Sequence, residues 1–234
     1  MRKIQILVGF IVLLSVLFVF FEMKDLHLSA AMVKAFVVPV ITGVYFFTIS
    51  KRSAYFSAFL ILFSVSELLT FIGPYLPVNC EYFIGNSLYL TAYSCFVLDL
   101  LNKLNFRYVV KELRVTLMIL LALNAYLLYV LYTIVSLDLN TISVYFEFLY
   151  NAVVLSVLTV SFLNYLYRDN KKALLLFVGA TCLVFSELLQ FAFFYIAEVS
   201  LLNILTYGFF VLAFVFMYAS VSIGATKHLV AQNA

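Results

Sequence analysis

The chain has 234 residues, of which 66% are hydrophobic and 11% charged; it carries 26 Phe, 17 Tyr and a formal net charge of +3. A soluble domain is ~45–50% apolar and ~25% charged, so a soluble enzyme, a disordered chain and a disulfide scaffold are excluded. What remains is an all-α integral membrane protein with short loops, whose function lies within or at the edge of the bilayer.

Eight apolar segments follow one another, at 4–21, 31–49, 54–72, 82–101, 115–137, 142–167, 173–197 and 201–223. The first follows Arg2 and Lys3, and its run exceeds the ~7–15 residues of a signal-peptide core, so a retained helix is expected. The second carries Lys34, Pro39 and Gly43. The third carries Ser66-Glu67 and ends at Gly73-Pro74. The fourth holds Asn86 and, near its end, Asp99, an interfacial charge close to Lys103. Glu147 and Asn151 stand on the sixth, Ser186-Glu187 on the seventh, and Asn203 and Tyr207 on the eighth. The runs are continuous and do not alternate, which favours helices over a barrel. The expected architecture is an eight-helix transmembrane bundle forming a single domain over 1–234.

Basic residues set the orientation of such a chain. Arg2, Lys3, Lys51, Arg52, Lys103, Arg107, Lys111, Arg114, Arg168, Lys171, Lys172 and Lys227 fall on one side of an eight-span layout. Lys24 alone falls on the other, alongside Glu22, Asp25, Glu81, Asp138 and Glu198, and Lys34 lies within a span. Both termini are therefore expected in the cytoplasm, in a multi-pass protein of the kind found in a bacterial inner membrane.

Two stretches resemble each other: Ser66-Glu67-Leu68-Leu69-Thr70-Phe71 and Ser186-Glu187-Leu188-Leu189-Gln190-Phe191. They lie on segments three and seven, which run in the same direction. A parallel four-plus-four internal repeat is expected, with halves 1–112 and 113–234 related about an axis along the membrane normal.

Four ionisable residues stand inside the spans: Lys34, Glu67, Glu147 and Glu187. Each costs ~2.5–3.5 kcal/mol unpaired at mid-helix, so they face the interior, pair or give up their charge. At 1.5 Å per residue, Glu67 and Glu187 lie ~20 Å along outward-running helices. Lys34 and Glu147 lie early in inward-running ones, so all four fall in the outer half of the membrane. Glu147 and Asn151 share a helix face. With Asn86, Ser186, Asn203 and Tyr207 they suggest a polar cavity opening outward, built by segments two, three, four, six, seven and eight. Bland readings compete: Lys34 snorkelling to the interface, Glu147 near the surface, Asn86 and Asn203 bonding helix to helix, serines serving close packing. If Glu67 and Glu187 share one low-dielectric site, they cannot both ionise cheaply, and at least one is expected to be protonated at neutral pH. Lys34 is expected to pair with the ionised one.

Other chemistries lack their residues. There is no P-loop, Gly-x-Ser-x-Gly or His-Glu-x-x-His motif. Cys80, Cys95 and Cys182 are too few and scattered for a disulfide framework or zinc site, and His27 and His228 lie outside the apolar runs. No cofactor, no metal and no nucleic-acid partner is expected; the expected partners are the bilayer and a lipid or lysophospholipid.

On these residues the chain resembles the YhhN family of eight-helix membrane proteins, whose characterised members are lysoplasmalogenases. Lys34 and Pro39 match its helix-two Lys and Pro. Ser66-Glu67 and Ser186-Glu187 take the places of its Gly-Asp and Ser-Asp, and Gly179 and Tyr207 match a Gly and a Tyr of its last two helices. The departures are Glu for both Asp, a wider Lys–Pro spacing, Tyr93 for a His in the segment 85–96, and an apolar residue near Val211 for a Gln. The resemblance implies hydrolysis of the vinyl ether of a lysoplasmalogen, with Glu67 and Glu187 as catalytic carboxyls. One would give a proton to the alkene carbon, and the other would stabilise the resulting cation and orient water. Two other readings stand beside it: a small-solute or proton-coupled transporter, and a non-catalytic sensor or partner-binding subunit.

Overall fold

The computed structural model describes residues 2–137 and 139–232, with side chains described except at 2–7, 78–79 and 224–232. Asp138 thus lies outside the described residues, as do the side chains of Arg2, Lys3, Lys227 and His228. Among the described residues the chain is helical with no strand. Its helices are α1 (Arg2–Glu22), α2 (His27–Lys34), α3 (Val37–Thr48), α4 (Ala54–Leu68), α5 (Val78–Leu101), α6 (Phe106–Glu112), α7 (Arg114–Val135), α8 (Thr141–Arg168), α9 (Lys171–Tyr195) and α10 (Ser200–Gln232).

Seven stretches are long and apolar enough to cross a membrane: His27–Thr48, Ala54–Phe71, Cys80–Leu101, Arg114–Val135, Thr141–Arg168, Lys171–Tyr195 and Ser200–Ile223. Val8–Glu22 is a shorter apolar helix within α1. The protein is therefore a multi-pass, all-helical membrane protein. A helix satisfies its own backbone hydrogen bonds where no water is present, whereas a sheet does so only as a closed barrel.

The second segment is broken. Pro39 has no N–H, and its ring clashes with the carbonyl four residues back. That carbonyl belongs to Ala35, which caps α2, and α3 starts afresh at Val37. The break leaves Lys34 in the last turn of α2, where a helix terminus favours a cation. Helix α2 also begins earlier than its apolar segment, so that His27 is its first residue. The third segment likewise tightens into two short 3-10 turns, Leu69–Phe71 and Gly73–Tyr75, after α4.

Polar caps start the helices at several loops. Asn105 accepts backbone N–H bonds from Arg107 and Tyr108, Asn140 from Ser143, and Asn170 from Ala173. Asp169, at φ 41°, closes α8 and turns the chain directly into α9. Helix α6 is a short helix in the basic stretch between α5 and α7, which carries Arg107 and Lys111.

Two helical hairpins dominate the packing: α4 against α5, and α9 against α10. Helix α8 lies between them, touching α5, α9 and α7. Each hairpin is pinned by a serine one residue before a glutamate. Ser66 Oγ donates to the Gly85 carbonyl at 3.0 Å, and Ser186 Oγ to the Thr206 carbonyl at 2.9 Å. Between α4, α5 and α10 runs a column of rings. Phe59 stacks on Phe96 at 4.7 Å, and Phe63 meets Tyr89 at 4.8 Å, Phe214 at 5.0 Å and Tyr93 at 5.6 Å. Each such pair contributes ~0.5–1.5 kcal/mol beyond simple burial, a substantial share where lipid supplies no hydrophobic drive between helices. Helix α7 stands apart. Only 11% of its most apolar stretch is buried, and its contacts are with α8 and α6.

Candidate functional site

The site begins with α5, which places tyrosines at 82, 89 and 93. Tyr89 and Tyr93 are four apart and so project from one face on successive turns. Tyr89 Oη donates to Glu67 Oε1 at 2.9 Å, and Tyr93 Oη donates to Glu187 Oε1 at 2.5 Å. The two glutamates of the matching stretches are thus held by adjacent turns of one helix. Tyr150 of α8 donates to the other oxygen of Glu187 at 2.7 Å. Glu147, one turn before Tyr150, accepts from Tyr82 at 2.7 Å and from Tyr195 at 3.3 Å. The bonds of 2.5–2.7 Å lie at the short end of the O–H···O range, and they offset part of the cost of holding carboxyl groups away from water.

A cavity of about 400 Å³ opens beside these groups. Two of its lining residues are the carboxylates Glu147 and Glu187, and three are the amides Asn86, Asn151 and Gln190. Rings of Tyr82, Tyr150, Phe191, Phe194 and Tyr195 form most of the remainder, with Leu139. The lining comes from the start of α5, the start of α8, the end of α9 and the α7–α8 connection. This is the end of the bundle away from Lys51, Arg52, Arg168 and Lys171.

The cavity is narrower in membership than the sequence reading expected. Segments four, six and seven build it, whereas segments two, three and eight do not line it. Glu67 is only 4% exposed, accepts the Tyr89 hydroxyl and does not line the cavity. Ser186 serves the α9–α10 contact. Tyr207 turns towards α1, stacking on Phe18 at 4.0 Å with its hydroxyl 3.3 Å from Ser15 Oγ. Asn203 is half-buried and does not line the cavity. Asn86, Glu147, Asn151 and Glu187 are the expected residues that do.

Lys34 makes no ion pair with a carboxylate among the described residues. Its ammonium donates to Gln190 Oε1 at 3.3 Å and lies 4.8 Å from the centre of the Phe210 ring. The physical reason is position: the break at Pro39 aims Lys34 at α9 and α10, and Gln190 intervenes. Gln190, the one polar difference from Thr70 in the matching stretches, therefore links the lysine to the cavity wall.

Several functional-looking residues escaped the sequence reading. Tyr82, Tyr150 and Tyr195 were indistinct among 17 tyrosines. Their signal was spacing: Glu147 and Tyr150 lie three apart on one helix face. Glu22, read as part of a loop, is the last residue of α1 and fully buried. One of its oxygens lies 3.0 Å from His27 Nδ1, and the other has no hydrogen-bond partner. Asp99 meets Lys103 as expected, and also the Ser53 hydroxyl.

Among the described residues no three His, Cys, Asp or Glu side chains converge as metal ligands. No family model matches the chain, and no curated protein or solved structure matches it either.

Proposed function

We propose that this protein is a membrane-embedded hydrolase of the lysoplasmalogenase type, a divergent relative of the YhhN family, acting on the vinyl ether of a single-chain ether lipid. The observation that carries the reading is Glu187: a carboxyl on a cavity wall inside the bundle, bonded through both oxygens to Tyr93 and Tyr150. In its acid form Glu187 gives a proton to the alkene carbon, leaving an oxocarbenium ion on the ether carbon. The carboxylate so formed stabilises that cation and takes a proton from the attacking water. The hemiacetal then breaks into a fatty aldehyde and a glycerophospho-base, and one water is consumed. The amides of Asn86 and Asn151 stand where water is to be oriented. Glu67 acts at one remove, by holding Tyr89 and through it the face of α5 that presents Tyr93. The test is aldehyde release from a lysoplasmalogen by purified protein in detergent; a lysolipid with a saturated ether should stay intact.

The same reading takes the chain as eight spans with both termini in the cytoplasm and with duplicated halves. The duplication is supported by the paired serine bonds, whose donors and acceptors are 19 and 20 residues apart. It is supported again by Phe59 and Gly179, each seven residues before its serine and each pressed against the facing helix, at Phe96 and Met217. For the orientation, Cys80 is exposed and free, near the cavity end. A membrane-impermeant maleimide should label Cys80 from outside intact cells, and a cysteine placed at exposed Lys171 only after lysis. Labelling of both from one side would contradict the layout.

A second reading has its own support. Glu147, Glu187 and, through the Tyr93–Tyr89 face, Glu67 form a succession of acids leading inward, as a proton-coupled transporter would need. It predicts solute or proton flux in liposomes without lipid turnover.

A further inference from the structure

We infer that the cavity binds an organic ammonium group, seated against Glu147 and enclosed by the aromatic rings at the cavity mouth. The inference rests on the cavity assigned above but not on the chemistry assigned to it.

The first observation is the lining. Five of its eleven residues are Tyr or Phe, two are carboxylates, and no Lys, Arg or His is among them. Rings present the negative face of their quadrupole to a cation, and several rings around one acid form the setting in which alkylated ammonium groups are held. The second is charge. Lys34 is engaged by Gln190 and Phe210 and makes no ion pair with Glu67, Glu147 or Glu187 among the described residues. The lining itself offers the carboxyl groups of Glu147 and Glu187 no basic side chain as a partner. The third is the kind of cation. No three His, Cys, Asp or Glu side chains converge as a metal-ligand group among the described residues. A diffuse charge on methyl groups requires no such set and gains from the rings.

Position separates the two acids. Glu147 stands in the second turn of α8 and is bonded by Tyr82 and Tyr195, both from helix ends at the mouth. Glu187 lies one turn deeper, at the level of Tyr150. Phe194 is 66% exposed at the rim and forms the outermost ring of the enclosure. Glu147 is thus the charge that an incoming headgroup meets first.

The experiment is equilibrium dialysis of radiolabelled choline against purified protein in an uncharged maltoside detergent. Competition uses tetramethylammonium and neohexanol, the uncharged carbon isostere of choline. Saturable binding is expected, displaced by tetramethylammonium and at least about tenfold less well by neohexanol. Glu147→Gln should lower the affinity about tenfold or more. Phe194→Leu, at an exposed rim position where the fold is not at stake, should weaken it severalfold and stands as the deciding variant if Glu147→Gln does not fold. Absence of saturable binding, equal displacement by neohexanol, or full affinity in both variants would overturn the inference. Because dialysis involves no turnover, choline binding without aldehyde release would sink the hydrolase alone, and aldehyde release without choline binding would sink the ammonium site alone.

Discussion

Replacing Glu187 by Gln should reduce aldehyde release by about 10²–10⁴-fold, the range a positioned acid contributes, while leaving the protein folded. The amide keeps nearly the volume of the acid, and its carbonyl oxygen still accepts one tyrosine hydroxyl. It carries no proton that can be given to carbon. Glu67→Gln should cost far less, because Glu67 does not line the cavity and its bond to Tyr89 survives with an amide acceptor. Steady-state rates of the two variants, measured beside their size-exclusion profiles, check the contrast. Equal losses in both would return Glu67 to the reacting group. A Glu187→Gln protein with wild-type turnover would remove the proposed acid altogether.

The second large effect is expected at Gly179, in the α9–α10 contact. A side-chain carbon there would stand 2.9 Å from Met217 Cγ, 3.0 Å from the Ala213 carbonyl oxygen and 3.1 Å from the Met217 backbone nitrogen. The methionine side chain can move aside, whereas the two backbone atoms cannot. Gly179→Ala should therefore force the two helices apart at the ring column and near the Ser186 bond. Overpacking of this kind costs ~1–3 kcal/mol. Thermal unfolding in detergent should fall by several degrees, at roughly 2–4 °C per kcal/mol for a chain this size. Gly43 and Gly208 provide controls, since a side-chain carbon added at either meets nothing within 4 Å, and alanine there is the matched comparison to Gly179→Ala. If Gly179→Ala melts with the controls, the close approach of α9 and α10 is wrong.

Much of the fold was legible because the bilayer imposes a length on every crossing. Apolar runs of about twenty residues separated by charged loops left little freedom in placing the helices. The break in the second segment was not expected, although its cause lies in Pro39, whose ring excludes a helical carbonyl whatever the neighbours are. Glu22 was missed because a residue at the last position of a helix belongs to the loop or to the core according to how the next helix folds back. Here Asp25, at φ 55°, turns the chain so that His27 returns to it.

The site was legible in part for a related reason. Charges inside an apolar run are costly enough to be noticed singly, which singled out Glu67, Glu147, Glu187 and Lys34. Which of them share a cavity depends on helix rotation and on neighbours far away in sequence. Glu67 and Glu187 occupy matching places in matching stretches, yet one is buried against Tyr89 and the other lines the cavity. Their surroundings differ because α5 offers tyrosines to both, while α8 offers Tyr150 only to Glu187. No pattern within either stretch contains that difference.

The central claim is that the cavity acid protonates carbon, and deuterium reports this directly. Purified protein turning over a lysoplasmalogen in D₂O, with the aldehyde trapped as a hydrazone as it forms, should yield aldehyde carrying one deuterium on the carbon next to the carbonyl. Mass spectrometry of the trapped product measures it, with the Glu187→Gln protein run alongside. One deuterium per aldehyde, lost in yield with Glu187→Gln, is the predicted result; no aldehyde, or aldehyde without deuterium, would contradict the account.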